Sequence, residues 1–280
     1  MSPRSRRRIR RAVARGTATL AGGAATEGLR ILTYHRVNDD HRGDRLSVRS
    51  ESFREQMKLL VASGRPVVSL GRVLPALRGD QPLPKDAVAI TFDDGYRDNL
   101  DVALPILERL GLPVTVFVAT GYVGTSTTID RYRGCCEEDR MLDWDDVREL
   151  MARGHEVGGH GRRHLELGAL GAAEADADVA GCAADLATHT GVPPLLFCYP
   201  RGSQSPEVQA CVAAHGFQAA CTVSPGVNPP LCPLLSLRRT EISGDDDIQD
   251  FRLKLEGGFD AWHRLAQRLG RREHATRWRP

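Results

Sequence analysis

No run of about eighteen consecutive apolar residues occurs anywhere in the chain, so the sequence offers no membrane-spanning helix. A secretory leader is equally hard to find. The arginines near the start are followed by Gly16-Thr17-Ala18-Thr19-Leu20-Ala21-Gly22-Gly23, too poor in Leu, Ile, Val and Phe for a leader's apolar core. Seven cysteines are present, yet none is spaced Cys-x-x-Cys, which argues against a zinc ribbon or a thioredoxin-type motif. An odd count, with Cys198, Cys211 and Cys221 in apolar surroundings, fits reduced thiols better than a disulfide framework. A strong excess of one charge is missing too. The formal net charge of +2 gives no basis for nucleic-acid binding by bulk electrostatics. These absences lead to the expectation of a soluble cytoplasmic protein.

Charge is nevertheless unevenly placed. Arg4, Arg6, Arg7, Arg8, Arg10, Arg11 and Arg15 crowd the start with no acid among them. Residues 1–28 read as a basic tail or short helix, either solvated or resting peripherally on anionic lipid. Residues 29–270 read as one domain and 271–280 as a basic C-terminal tail.

Within the domain, apolar runs alternate with helical patterns. Strands are expected at Arg30–His35, Pro66–Leu70, Ala87–Phe92, Pro113–Val118, His155–Val157, Leu195–Tyr199, Phe217–Val223 and Leu234–Ile242. Helices are expected from Ser52 as N-cap to Ser63, over Gly71–Leu77, and from an Asp98 or Asn99 cap to Gly111. Further helices are expected over Leu142–Arg153, Ala172–Thr188, Pro206–His215, Asp246–Leu255 and Trp262–Leu269. The alternation predicts a parallel α/β architecture, a barrel with some strands irregular or missing.

Chemistry concentrates at two strand ends. The first is Thr91-Phe92-Asp93-Asp94-Gly95, which closes the apolar run Ala87-Val88-Ala89-Ile90. An Asp-Gly pair also makes ordinary tight turns. Adjacent carboxylates at a buried strand end, however, are costly unless paired or bound to a metal. The second is His160-Gly161-Arg162-Arg163-His164, whose spacing on a helical turn would set both imidazoles on one face. The alternative is a pair of surface histidines beside two arginines. Taken together, Asp94, His160 and His164 form a two-histidine, one-carboxylate set suited to Zn²⁺, Co²⁺ or Fe²⁺. Asp93 is then left as a general base for water made acidic by the ion, and the backbone N–H of Tyr96 as an oxyanion donor. That combination points to hydrolysis of an acyl or amide bond.

The two motifs, their order and their separation resemble the polysaccharide deacetylases (carbohydrate esterase family 4, the NodB-homology superfamily). The resemblance runs from Tyr34-His35-Arg36-Val37 to the segment Arg239–Asp246 and on to Leu255. In detail it is similar to the branch associated with exopolysaccharide and cell-envelope glycans, near the poly-N-acetylglucosamine deacetylases. It implies a distorted or incomplete (β/α) barrel of about seven parallel strands. It also implies one divalent metal ion, Zn²⁺ foremost with Co²⁺, Ni²⁺ or Fe²⁺ as alternatives, held by Asp94, His160 and His164, with Asp93 as base. The expected activity is removal of N-acetyl groups, with release of acetate, from an N-acetylhexosamine-containing glycan or a lipid-linked sugar. An O-acetyl esterase and a catalytically silent carbohydrate binder are the alternatives.

Three departures from the family pattern stand out. Gly161 replaces a serine or threonine. The third motif becomes Cys198-Tyr199-Pro200-Arg201-Gly202, without its usual arginine; Tyr199, Pro200 and Arg201 remain candidates for substrate binding, and Arg201 for reaching the base. A late histidine that would act as general acid is missing between His215 and His263. His35, at the mouth of the first strand, and Trp144, beginning a helix, are left with open roles.

Overall fold

The computed structural model describes residues 28–41, 43–125 and 140–260, together with Ala14. Most of the arginine-rich tail, the cysteines at 135 and 136, most of the loop after Gly121 and the expected helix at 262–269 therefore lie outside the described residues. So does the C-terminal tail. Among the described residues, no helix is long and apolar enough to cross a membrane.

Seven strands make one sheet: β1 (Arg30–Tyr34), β4 (Val88–Phe92), β5 (Thr115–Val118), β6 (Glu156–Gly159), β7 (Leu196–Cys198), β8 (Ala219–Cys221) and β9 (Thr240–Glu241). Their order is β8-β7-β6-β5-β4-β1-β9, and every pairing is parallel. Two short strands, β2 (Arg36–Val37) and β3 (Ser47–Val48), pair separately. The sheet curls until its edges meet. Thr222 N donates to Leu237 O, and Leu237 N to Ala220 O, both at 2.8 Å, which ties the β8 edge to the segment entering β9. The result is the curled, incompletely regular barrel that the sequence implied.

Seven helices accompany these strands among the described residues: α1 (Ser50–Ala62), α2 (Leu74–Leu77), α3 (Leu104–Arg109), α4 (Trp144–Ala152), α5 (Ala172–Thr190), α6 (Pro206–Ala214) and α7 (Ile248–Leu255). The strands are buried on both faces, so they read as continuous apolar runs. Alternation still sorts their side chains. Leu32, Tyr34, Val88, Ile90, Phe92, Val116 and Val118 pack with helix residues such as Phe53, Leu104 and Val147. The intervening Ile31, Ala87, Ala89, Phe117, Cys198 and Cys221 form a second cluster, with small side chains suited to the narrow interior of a barrel. Asp93 continues the inward series Ala87, Ala89, Thr91. The two-residue period of β4 thus carries this carboxylate into the barrel.

Several expected elements differ. Helix α1 begins at Ser50 behind Arg49, which makes no side-chain cap, so Ser52 lies inside the helix rather than capping it. Pro66–Leu70 contributes a single bridge, Val67 to Val88, rather than a strand. Val68 N donates to Val88 O at 2.8 Å and Val88 N to Pro66 O at 2.9 Å, and the turn that begins at Leu70 ends the pairing there. The Asp98–Asn99 start has no side-chain cap and opens as one wide turn, Asn99–Ala103. Asp98 instead accepts from Arg36 Nε at 2.8 Å and Asn38 Nδ2 at 2.9 Å. The expected strand Leu234–Ile242 resolves into a short 3₁₀ turn, Leu234–Ser236, followed by two-residue β9. Asp143 caps α4 in a full capping box with Asp146.

Candidate active site and metal centre

Because the strands are parallel, the C-terminal ends of β1, β4, β6 and β7 lie along one rim. Each delivers a polar residue there: His35, Asp93 with Asp94, His160, and Cys198. The backbone holds this rim in register. Asp93 N donates to Tyr34 O at 3.0 Å, and His160 N to Val118 O at 2.9 Å. The histidine motif is not a helical turn. Gly161 has φ +69° and His164 φ +55°, so the chain turns in left-handed steps and brings the two imidazoles together by a loop. Their ring centroids are 5.0 Å apart. Asp94, at φ +75°, is also left-handed. Non-glycine residues in that region cluster where function requires them.

His160 Nε2 and His164 Nε2 each stand 3.3 Å from Asp94 Oδ1. Neither approach has hydrogen-bond alignment, so this buried oxygen has no hydrogen-bond partner in the protein. Two imidazole nitrogens and one such oxygen converging on a point are what a cation requires. His160 Nδ1 lies 2.7 Å from Cys198 O, which places the proton on Nδ1 and leaves Nε2 as the ligating lone pair. Asp94, His160 and His164 therefore fit a transition-metal ion by donor type and convergence.

Asp93 is disposed differently. Arg239 Nη1 and Nη2 donate to Asp93 Oδ1 and Oδ2, each at 2.7 Å, and both side chains are almost wholly buried. Burial pushes the Asp93 carboxyl up. The bidentate guanidinium outweighs it, with His160 and His35 adding to the same effect, and holds the pKa below the ordinary value. Asp94 is driven well below its usual range in spite of burial, by His160 and His164. His160 behaves reciprocally. Burial opposes its charged form, but Cys198 and the Asp94 and Asp93 carboxylates outweigh burial and raise its pKa well above normal. Cys198 Sγ also approaches this cluster, 3.0 Å from Arg239 Nη2 and 3.5 Å from Asp93 Oδ2. With both Asp93 oxygens engaged by arginine, the Asp94 set is the better cation site.

The arginine missing from the third motif is thus supplied by Arg239, not by Arg201. Arg201 points outward to Glu166 at 2.7 Å and is half exposed. Arg239 was missed because it sits 146 residues from its partner in the chain. Its local signal was weak, because Ser236, Arg238, Thr240 and Glu241 surround it with other polar residues. Tyr199 is fully buried, its hydroxyl donating to Leu235 O at 3.0 Å, and Pro200 is buried beside it. Tyr96 is buried against Ala119 and Met141, directly after the Gly95 turn. His35 is half-buried at the end of β1, and its Nδ1 has no hydrogen-bond partner. Trp144 stacks on His189 with centroids 4.1 Å apart, joining α4 to α5. Arg162 and Arg163 pair with Asp185 and Asp178.

Comparison with known proteins agrees with this fold. YxkH of Bacillus subtilis is 25% identical over 215 residues, 77% of this chain and 71% of that protein. The poly-beta-1,6-N-acetyl-D-glucosamine N-deacetylase of Escherichia coli K12 is 32% identical over 126 residues, 44% of this chain. That match spans only 19% of the Escherichia coli protein's length. Among solved structures, IcaB from Ammonifex degensii superposes with a TM-score of 0.70 at 26% identity, over 82% of this chain and 97% of that one. The Streptococcus pyogenes deacetylase PplD, at 21% identity and the same TM-score over 81% and 98% of the two chains, shares the fold. The family model for polysaccharide deacetylases matches residues 80–220, half of the chain, and spans Asp93, Asp94, His160 and His164. The chain belongs to the polysaccharide deacetylase family and is a hydrolase of that type.

Proposed function

We propose that the protein hydrolyses N-acetyl groups of an N-acetylglucosamine-containing glycan and releases acetate. One observation carries the reading: the adjacent carboxylates have separate partners, Asp93 the Arg239 guanidinium and Asp94 the two imidazoles. Asp94, His160 and His164 would hold one divalent cation, for which Zn²⁺ suits the nitrogen and oxygen donors. When bound, such an ion supplies Lewis acidity, making water acidic near neutral pH and drawing charge from a carbonyl oxygen.

The chain's own residues supply the rest. Asp93, kept ionised and oriented by Arg239, takes the proton of the attacking water. A carboxylate has about four acceptor positions, so the two guanidinium bonds leave room for it. We assign the Tyr96 backbone N–H, next after the Gly95 turn, to the developing oxyanion. His35, with an unpartnered ring nitrogen on the same rim, replaces the missing late histidine and delivers a proton to the leaving amine. Tyr199 and Pro200 are buried and support the rim from beneath, whereas the half-exposed Arg201 can exchange Glu166 for a glycan hydroxyl. The silent-binder alternative loses its main support, because Arg239 restores an arginine to the base. The named activity of the Escherichia coli relative favours a polymeric N-acetylglucosamine substrate over O-acetyl esters or a lipid-linked sugar.

The experiment is acetate release by cobalt-loaded protein from poly-N-acetylglucosamine, chitooligosaccharide and acetylxylan. Release from the first two substrates is expected. Release from acetylxylan alone would identify an O-acetyl esterase instead. No release from any of them, at stoichiometric metal, would refute the enzymatic reading.

A further inference from the structure

Helix α5 buries Ala175, Asp178, Val179, Cys182 and Leu186 along one stripe, so a carboxylate interrupts an otherwise apolar face. Asp178 is 1% exposed. A carboxylate so placed persists only where its oxygens are bonded. Its Oδ2 accepts from Arg162 N at 2.8 Å, and its Oδ1 from Arg163 N at 3.1 Å and Arg163 Nε at 3.0 Å. The guanidinium of Arg163 is half exposed, so its ion pair with Asp178 contributes little. The two backbone amides on a charged acceptor are the stronger bonds.

Those amides belong to the turn between His160 and His164. A Cβ at Gly161 would stand 2.8 Å from Asp178 Oδ2. The carboxylate therefore occupies the space where a side chain at position 161 would begin. The carbonyl side of the turn is pinned separately: Gly161 O accepts from Thr120 N at 3.1 Å, and Arg162 O from Gly121 N at 2.8 Å. Asp178 holds the amide side. His160 is anchored by β6, but His164 has no strand of its own and follows this turn in a left-handed conformation.

We propose that Asp178 is a positioning residue for the metal ligands: acting from α5, it replaces the hydroxyl side chain absent at Gly161 and sets where His164 stands. The proposal rests on reading Asp94, His160 and His164 as ligands. Its test uses the full chain and Co²⁺ alone, with affinity followed by ligand-field absorbance, together with amide exchange and thermal unfolding. Asp178→Asn and Asp178→Ala should lose about 10- to 100-fold in Co²⁺ affinity, the usual effect of removing a group that orients a ligand. Exchange protection at the Arg162 and Arg163 amides should fall with it. Asp178→Asn keeps shape and one acceptor, and carries the test if the alanine variant does not fold. Asp185→Asn is the comparison. Asp185 bonds the Arg162 side chain and Thr120 Oγ1 but not the turn amides. This variant should unfold at lower temperature with Co²⁺ affinity within about twofold of wild type, since no ligand-orienting bond is removed. Wild-type Co²⁺ affinity in both folded Asp178 variants would overturn the proposal, whatever their melting temperatures. A wild-type protein that binds no Co²⁺ would instead remove the ligand set, and with it the function proposed above.

Discussion

Asp93 and Arg239 set the terms at the scale of single residues. Each is nearly inaccessible to water, so either one alone would be an uncompensated buried charge. Replacing Arg239 by Met should destabilise the fold by about 3–5 kcal/mol, the usual cost of removing one partner from a buried pair. Chemical denaturation of the two proteins measures this directly. The pH dependence has a defined sign. The native Asp93 pKa is depressed, so the pair's contribution to stability is present above the unfolded carboxyl value of about 3.9 and fades as pH falls through the lower native value. In Arg239→Met the largest remaining influence is burial, which pushes the carboxyl up. Its loss of charge then moves to higher pH, and the acid limb of the pH–rate profile should move with it. An unchanged acid limb would mean that Arg239 does not govern the base.

Asp93, Asp94, His160 and His164 were legible in the sequence because each pair is local, set by a strand end and a five-residue motif. Arg239 and Asp178 were not, because their meaning lies in tertiary contacts. Asp178 left a trace, a charged residue on the apolar stripe of α5, whereas Arg239 is hidden among Arg238, Thr240 and Glu241. An unexplained charge in an apolar pattern predicts a partner, even where the sequence cannot say which.

Among the elements, apolar runs located most of the strands, whereas the caps read at Ser52 and at Asp98 or Asn99 do not cap their helices. Boundaries and short pieces fared worse. The His160–His164 segment has helical spacing but turns through left-handed residues, since spacing alone says nothing about the sign of φ. Two substitutions test how elements hold the rim. Asp143→Ala removes the capping box of α4 and should cost about 1 kcal/mol, read as a lowered melting temperature. Gly159→Ala is harsher. Its Cβ would meet Cys182 Sγ at 2.7 Å and the Phe217 ring at 3.2 Å, between β6 and α5. Overpacking of this kind costs about 1–3 kcal/mol. Because Gly159 precedes His160, acetate release should fall further than the stability loss explains; equal losses would separate this strand from the site.

For the molecule as a whole, the parallel curl was predictable from alternating strands and helices, whereas the closure through Leu237 was not. That closure rests on backbone bonds, which leave little imprint on side-chain pattern. If Asp94, His160 and His164 hold a cation as proposed, the barrel should be stabilised by that ion. At a Zn²⁺ concentration about 100 times the dissociation constant, linkage predicts a gain of about 2.7 kcal/mol, reversed by a chelator. A melting temperature indifferent to both would argue against a preformed cation site.

The division of roles between the two carboxylates is tested most directly by comparing wild type with Asp93→Asn at equal, measured metal occupancy. The quantity to follow is acetate and free amine released from poly-N-acetylglucosamine. The account predicts that the variant keeps the ion and loses about 10²- to 10⁴-fold in rate, the range expected for a general base. Equal release by both proteins would show that Asp93 is not the base.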